Sequence, residues 1–429
     1  PSTPDTYIMT YTATSTQGTP LSVTRTVIVQ DTVAPVIYLY GDETIYQPYG
    51  QDYFEEGAYA FDNCDFSVSY AVTTSGDTID SFTPGTYLVN YDVTDASGNA
   101  AATVTRTVIV QDPPVPIGID TIEELQLIGT DPGYPLNGSY YLTQDIDASD
   151  TVNWNSGMGF EPIGEVFMPD KTGDREFNGH FDGQGYTISN LYINRPGGAF
   201  LGLFTAITFG ASVERVTLEN PYIVGSSSSG GIAGVANDST FVNCVIKHAY
   251  IEGSDYVGGV VGNTFNVTIT ECSSSGILYG QSNVGGIAGQ NNGTITKCFS
   301  TMEVSAISTN AGGLVGYNTG SILNSFAIGP VSADSFAGGL VGSNEYSIIS
   351  CYSAGYVSAY SDTGGIVGYA DTGTTTDSFW DMDTTGQIAS AGGGTALTTP
   401  DMMLQATYTT AGWDFETTWG ILEGITYPY

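Results

Sequence analysis

Between residues 84 and 112 apolar side chains recur at every second position. Tyr87, Val89, Tyr91 and Val93 come first and, beyond Asp95-Ala96-Ser97-Gly98-Asn99, the run from Val104 to Val110 continues the pattern. Period-two alternation on both sides of a Gly/Asn turn predicts an antiparallel hairpin. The same pattern stands at residues 4–31, where Thr6-Tyr7 matches Thr86-Tyr87 and Thr24-Arg25-Thr26-Val27-Ile28-Val29-Gln30-Asp31 recurs as Thr105 to Asp112. Short strands with turn punctuation over about 80 residues predict a small β-sandwich. Residues 32–112 span a complete sandwich. Residues 1–31 span only the last strands of another, with open edges and no core of their own.

From residue 201 the pattern changes. Gly-Gly pairs fall at 230–231, 258–259, 285–286, 312–313, 338–339 and 364–365, at intervals of 28, 27, 27, 26 and 26 residues. Each unit runs GG-apolar-x-G, a polar turn, an alternating strand and a second short strand, clearest in Gly312 to Ala327. Repeats of this length mean a solenoid, in which each unit buries its apolar face only against its neighbours. The residues are strand formers, which predicts a parallel β-helix of two or three strands per coil with rungs about 4.8 Å apart. Two short helical caps are expected. Thr121-Ile122-Glu123-Glu124 is a capping-box pattern, and Thr399-Pro400-Asp401 sets a cap residue before proline. The fold class is thus all-β: a β-sandwich (32–112), a Pro-rich linker (113–117), then a β-helix (118–429). The β-helix has an opening segment at 118–200, repeats at 201–380 and a closing segment at 381–429.

Composition narrows the partners. The 429 residues carry 45 acidic and 8 basic side chains, a net charge of −37, with no Lys or Arg after Lys297. Nucleic acid is excluded as a partner, since its binding needs clustered cations, and an anionic membrane surface would repel the chain. No apolar run is long enough to span a bilayer. The start at Pro1 looks like a cut, with targeting signals elsewhere.

Ala34-Pro35-Val36-Ile37, Ala60-Phe61-Asp62-Asn63-Cys64 and Asp95-Ala96-Ser97-Gly98-Asn99 make residues 32–112 similar to bacterial Ig-like domains of the HYR-like kind, found in tandem on surface proteins. The repeats resemble the GLUG motif of bacterial surface and secreted proteins. Phe177 to Leu191 matches the opening coil of such regions, Gly202-Leu203-Phe204 a degenerate first repeat, and Phe379-Trp380-Asp381, Trp413-Asp414-Phe415 and Trp419 to Pro428 their closing segment. The resemblance implies an extracellular structural or adhesive role, as a surface adhesin or filament subunit; the incomplete first sandwich adds the expectation of head-to-tail polymerisation if a neighbour's strands complete residues 1–31. A carbohydrate-binding module and a polysaccharide-active enzyme are the alternatives. Glycans or a neighbouring cell surface are the expected outside partners.

No catalytic constellation stands out. Some GLUG-bearing proteins are peptidases that cut immunoglobulins, but no His-Glu-x-x-His is present, and His180 and His248 read as structural. Asp182 in Phe-Asp-Gly-Gln-Gly reads as a turn cap rather than an acid catalyst. Cys244, Cys272, Cys298 and Cys351 follow the solenoid period, with Ser325 in the gap, which predicts a buried column of small side chains acting as free thiols; Cys64 stands alone. Calcium is the expected cofactor, with Asp31 and Asp112 at interdomain positions, and Asp62 and Asp95 with them, as candidate hard-oxygen ligands. Asn137, Asn237, Asn266 and Asn292 lie in Asn-x-Ser/Thr triplets.

Overall fold

The computed structural model describes residues 4–18, 20–113, 115–165 and 175–429. Parts of the expected linker (residue 114) and opening segment (166–174) lie outside these. The chain divides into two compact units, Pro1–Pro114 and Val115–Tyr429.

In the first unit β1 (Asp5–Thr14) and β2 (Pro20–Val29) form an antiparallel pair by themselves. The sandwich comprises β3 (Val36–Leu39), β4 (Thr44–Gln47), β5 (Ala58–Phe61), β6 (Thr73–Gly76), β7 (Gly85–Asp92) and β8 (Val104–Val110). One sheet runs β4-β8-β7-β6 and the other pairs β3 with β5. Inward-facing Ile37, Ala60, Val68, Val89, Tyr91, Val93 and Val108 fill the space between them. The two hairpins share one register: Tyr7 faces Val27 and Met9 faces Arg25, as Tyr87 faces Val108 and Val89 faces Arg106. Burial differs sharply. Val89 and Tyr91 are buried, whereas the equivalent Met9 and Tyr11 are 48% and 49% exposed.

The second unit is a parallel β-solenoid of about nine turns. It opens with β9 (Ile117–Ile119) beside β10 (Ser139–Leu142). Between them lies α1 (Ile122–Leu127), whose cap Thr121 accepts a hydrogen bond from the Glu124 amide. Glu124 in turn accepts from the Asp120 amide at 2.7 Å, reaching back across the cap as a capping box does. Ile122, Leu125 and Ile128 are buried in the core.

A typical coil has four strands, Ala288–Asn291, Gly293–Thr296, Phe299–Ser300 and Glu303–Gly312, rather than the two or three expected. The two-residue strand escapes a periodicity reading because alternation needs more than two positions to register. All six Gly-Gly pairs stack in one column, Gly230 on Gly258, then Gly285, Gly312, Gly338 and Gly364. Phe204 pairs with Ala233, placing Gly202-Leu203-Phe204 as an earlier rung. The glycines are needed because rungs touch: a Cβ on Gly313 would lie 2.3 Å from the Gly339 carbonyl oxygen.

At the far end Gly393–Leu397 adds to the last coil, with α2 (Met382–Thr385) in its connection and then α3 (Thr399–Met402) and α4 (Gln405–Thr410). The cap of α3 is Thr398, one residue earlier than expected, since its side chain reaches the Asp401 amide. α2 is too short to show a helical period; Asp381 starts it by accepting from the Asp383 and Thr384 amides. Met402, Tyr408, Trp413 and Trp419 pack against Tyr352 and Phe379.

Candidate functional site

Asp31, Asp62 and Asp95 converge. Each offers a carboxylate oxygen, these lie within 4.8 Å of one another, and all three residues are buried. The backbone fixes them. Asp31 Oδ1 accepts from the Val33 amide at 3.1 Å, and Asp62 Oδ1 from the Cys64 and Asp65 amides at 2.7 and 2.8 Å. Asp95 Oδ1 accepts from the Ser97 and Asn99 amides, while Asn99 Nδ2 bridges Asp95 Oδ2 and the Asp31 carbonyl. Burial pushes the Asp95 carboxyl up, but the bonds from Asn99 and the neighbouring amides outweigh it and hold the group below its ordinary value. Burial and the three carboxylates raise the Cys64 thiol.

Asp112 does not join them and is exposed. By the repeat it is the counterpart of Asp31. Asp31 leads into a sandwich carrying Asp62 and Asp95, whereas Asp112 is followed by the solenoid.

A second cluster, His180, Asp182 and Glu214, is already internally paired. Arg215 forms a fork on Asp182, with Nε 3.0 Å from Oδ1, and this contact raises the Arg215 guanidinium further. His180 Nε2 lies 3.1 Å from Glu214 and its Nδ1 2.6 Å from Ser212 Oγ. Asp182 Oδ1 also accepts from the Gln184 amide at 2.8 Å, the turn-capping contact its motif suggested. His248 is 70% exposed, 4.0 Å from Glu219, and has φ 52°.

The solenoid carries side-chain ladders. Cys244, Cys272, Cys298, Ser325, Cys351 and Ser378 stand one per coil, and the five cysteines of the chain are free. These positions act as polar links as well as filler. The amides of Cys244, Cys272, Cys298 and Cys351 donate to the next rung's Cys272, Cys298, Ser325 and Ser378, at 3.4, 3.4, 3.1 and 3.0 Å. The residue before each is left-handed: Asn243, Glu271, Lys297, Asn324, Ser350 and Asp377. The sharp turn leaves the carbonyl two residues before each ladder position for its side chain, as in Ser325 to Leu323 at 2.7 Å.

Three features are not among the sequence expectations. Buried Asn291, Asn318 and Asn344 form an amide ladder, and their spacing of 27 and 26 residues was the available signal. Tyr192, Tyr222, Tyr250 and Tyr279 stack with centroids 5.1, 5.1 and 5.9 Å apart. Arg106 is fully buried, paired with Glu55, and donates from Nε to the Asp42 carbonyl at 3.0 Å. A repeated Arg25/Arg106 in a chain with eight cations was its signal.

Residues 37–110 match the family described as bacterial surface protein, Ig-like domain, and residues 280–305 match the GLUG motif. Halomucin of Haloquadratum walsbyi is 42% identical over 127 residues, 29% of this chain and 1% of that protein. A "putative Gly-rich membrane protein" of Evansella cellulosilytica is 36% identical over 84 residues, 20% of this chain and 9% of that protein. The chain therefore spans under a tenth of either relative. A crystal structure described as a "putative immunoglobulin A1 protease" from Bacteroides ovatus aligns over 73% of this chain and 91% of its own, at 19% identity and a TM-score of 0.45. The chain thus carries an Ig-like domain of the bacterial surface-protein kind followed by a β-solenoid with a GLUG motif, and its similarities are those of a cell-surface protein.

Proposed function

We propose that this chain is a structural and adhesive, non-catalytic part of an extracellular surface protein, with Ig-like domains in series followed by a solenoid that offers regular side-chain columns to a partner. The observation that carries the reading is the shared register of the hairpins at 5–29 and 85–110, which makes β1 and β2 the counterpart of β7 and β8 in a second copy of one domain. Serial copies of a small sandwich hold the segments on either side of them apart, the usual task of such modules on a surface. The pairing of Asp182 with Arg215 supports a structural role for the most motif-like acid.

Met9, Tyr11, Leu21 and Val23 share the face of β1 and β2 that corresponds to the core side of β7 and β8, and they are 48–74% exposed. Such a face invites completion by further strands, either from the same chain or from a neighbouring copy in a fibre. Intact mass of the native protein separates these: residues upstream of Pro1 support serial domains, and a native start at Pro1 with concentration-dependent assembly supports the fibre. The adhesive part is tested by attaching the chain to beads and measuring capture by cells, matrix proteins and a glycan array. Capture by none of them would overturn it.

A glycan is the second reading, favoured by the shallow groove beside the tyrosine column, lined by Tyr250, Glu252, Ser254, Tyr279, Gln281 and Ile307. Tyr222 and Tyr250 stack at 9° and so occupy each other's faces, whereas Tyr279 is tilted 52° from Tyr250. Loss of array binding in Tyr279→Ala would support this reading.

A further inference from the structure

We propose that Asp31, Asp62 and Asp95 bind a calcium ion that fastens the segment entering the Ig-like domain to the domain itself. The site is independent of the adhesive reading and lies in a different part of the chain from the solenoid.

Two separate observations carry it. The first is convergence: three carboxylates from distant stretches of sequence bring oxygens within 4.8 Å of one another, at 9%, 2% and 6% exposure. The second is that Asp31 Oδ2 and Asp62 Oδ2 are buried with no hydrogen-bond partner. In both, Oδ1 is occupied by backbone amides, which aims the carboxylate and leaves its other oxygen bare. A bare buried carboxylate oxygen is costly, and like charges nearby make it more so. Among the described residues no Lys, Arg or His forms an ion pair with any of the three. Protein neutralisation is thus missing where it is most needed. Asp182 provides the contrast: its carboxylate meets a full guanidinium fork.

The donors choose the metal. Carboxylate oxygens without imidazole suit a hard cation, and the irregular set, completed by water, suits calcium better than magnesium's strict octahedron. The amides on Oδ1 and the Asn99 bridge form the outer shell that holds such ligands in place. The site also has a mechanical consequence. Asp31 lies two residues beyond β2 and five before β3, while Asp62 and Asp95 belong to the sandwich proper. A bound ion therefore ties the chain's entry to two of the domain's loops.

The full 429-residue chain, stripped with EDTA, is titrated with calcium chloride by calorimetry and melted with and without calcium. One ion is expected at this site, with a dissociation constant of about 10⁻⁴–10⁻³ M as in extracellular modules, and the sandwich should melt several degrees higher when it is bound. Asp62→Asn keeps the Oδ1 acceptor, loses one charge and puts a donor where the bare oxygen was. It should abolish the calcium-dependent rise, yet melt above the wild type in EDTA. Asp112→Asn should change neither measurement. No calcium-dependent rise in the wild type, or an equal rise in Asp62→Asn, would overturn the proposal. If Asp62→Asn does not fold, Asp95→Asn takes its place, and loss or retention of the titrated ion decides in the same way.

Discussion

Asn318 donates from Nδ2 to Asn344 Oδ1, one coil further along, at 2.7 Å, and accepts on Oδ1 from Asn291 Nδ2 at 2.8 Å. It also donates to the Gly320 carbonyl at 2.8 Å, and all three asparagines are fully buried. The middle of such a ladder is its most connected position. Asn318→Ala would strand the Asn291 amide and the Gly320 carbonyl in a dry interior, a loss of about 3 kcal/mol. Asn344→Ala should be milder, because Ala370 occupies the next rung and the ladder ends there. Urea unfolding of the two variants checks the order; equal losses would count against a cooperative ladder.

The cysteine column answers to chemistry as well as volume. Cys298 donates to the Thr296 carbonyl at 3.3 Å and accepts from the Cys272 amide at 3.4 Å. Serine already fills the same place at 325 and 378, so Cys298→Ser should change stability by less than about 1 kcal/mol. Cys298→Val fills the space but strands both backbone groups, and should lose about 1–3 kcal/mol. Urea midpoints of the two variants check the difference.

Thiol labelling separates the five cysteines. Burial and neighbouring thiols push Cys244 and Cys272 well up, and burial raises Cys351 to about 12. Thiolate is the reactive form and all four ladder thiols are buried, so iodoacetamide on the folded chain should modify Cys64 alone. Its raised pKa makes that reaction slower than for an ordinary thiol at about pH 8, and faster as pH rises. Unfolding in urea should expose all five to labelling, and mass spectrometry counts the adducts.

Acid should weaken the sandwich through Glu55. Burial raises this carboxyl, but bonds from Tyr53, Tyr91 and the Gly57 amide and the Arg106 charge together hold it below its ordinary 4.5. A depressed folded pKa means stability present above the unfolded value and lost as pH falls through the folded one. The loss therefore lies below about pH 4.5. Glu55→Gln should remove that acid dependence and, by leaving Arg106 buried without its counter-charge, cost about 3 kcal/mol at neutral pH. Melting from neutral pH down to about pH 3 checks both.

The legible parts of this protein are those that repeat. Gly-Gly spacing announces the coil because every rung meets the same steric limit, and the Cys/Ser period announces one position within it. Asp31, Asp62 and Asp95 sit in turn and boundary motifs that mark them as candidates, but their convergence depends on how distant loops fold back, which no spacing reports. Asp112 lies outside that group although its local sequence copies that of Asp31, because the segment that follows it is of a different kind. The Glu55–Arg106 pair spans 51 residues and links a loop to a strand, so only the folded sandwich discloses it.

Close approach between rungs gives the sharpest test of the solenoid. Gly313 has no positive φ, so its backbone suits any residue; the next coil is what forbids a side chain. A Cβ there would lie 2.3 Å from the Gly339 carbonyl oxygen and 2.7 Å from Ala327 Cβ, and neither can swing aside. The alternative is for the rungs to part, which breaks the ladder bonds on both sides. Gly313→Ala should thus lose about 3 kcal/mol or more, at the upper end for overpacking. Gly197→Ala, at a position where an added Cβ meets nothing within 4 Å, should be neutral or slightly stabilising. Both are read from the thermal midpoint of the solenoid transition. Equal midpoints for the two variants would mean that the coils are looser than this register requires.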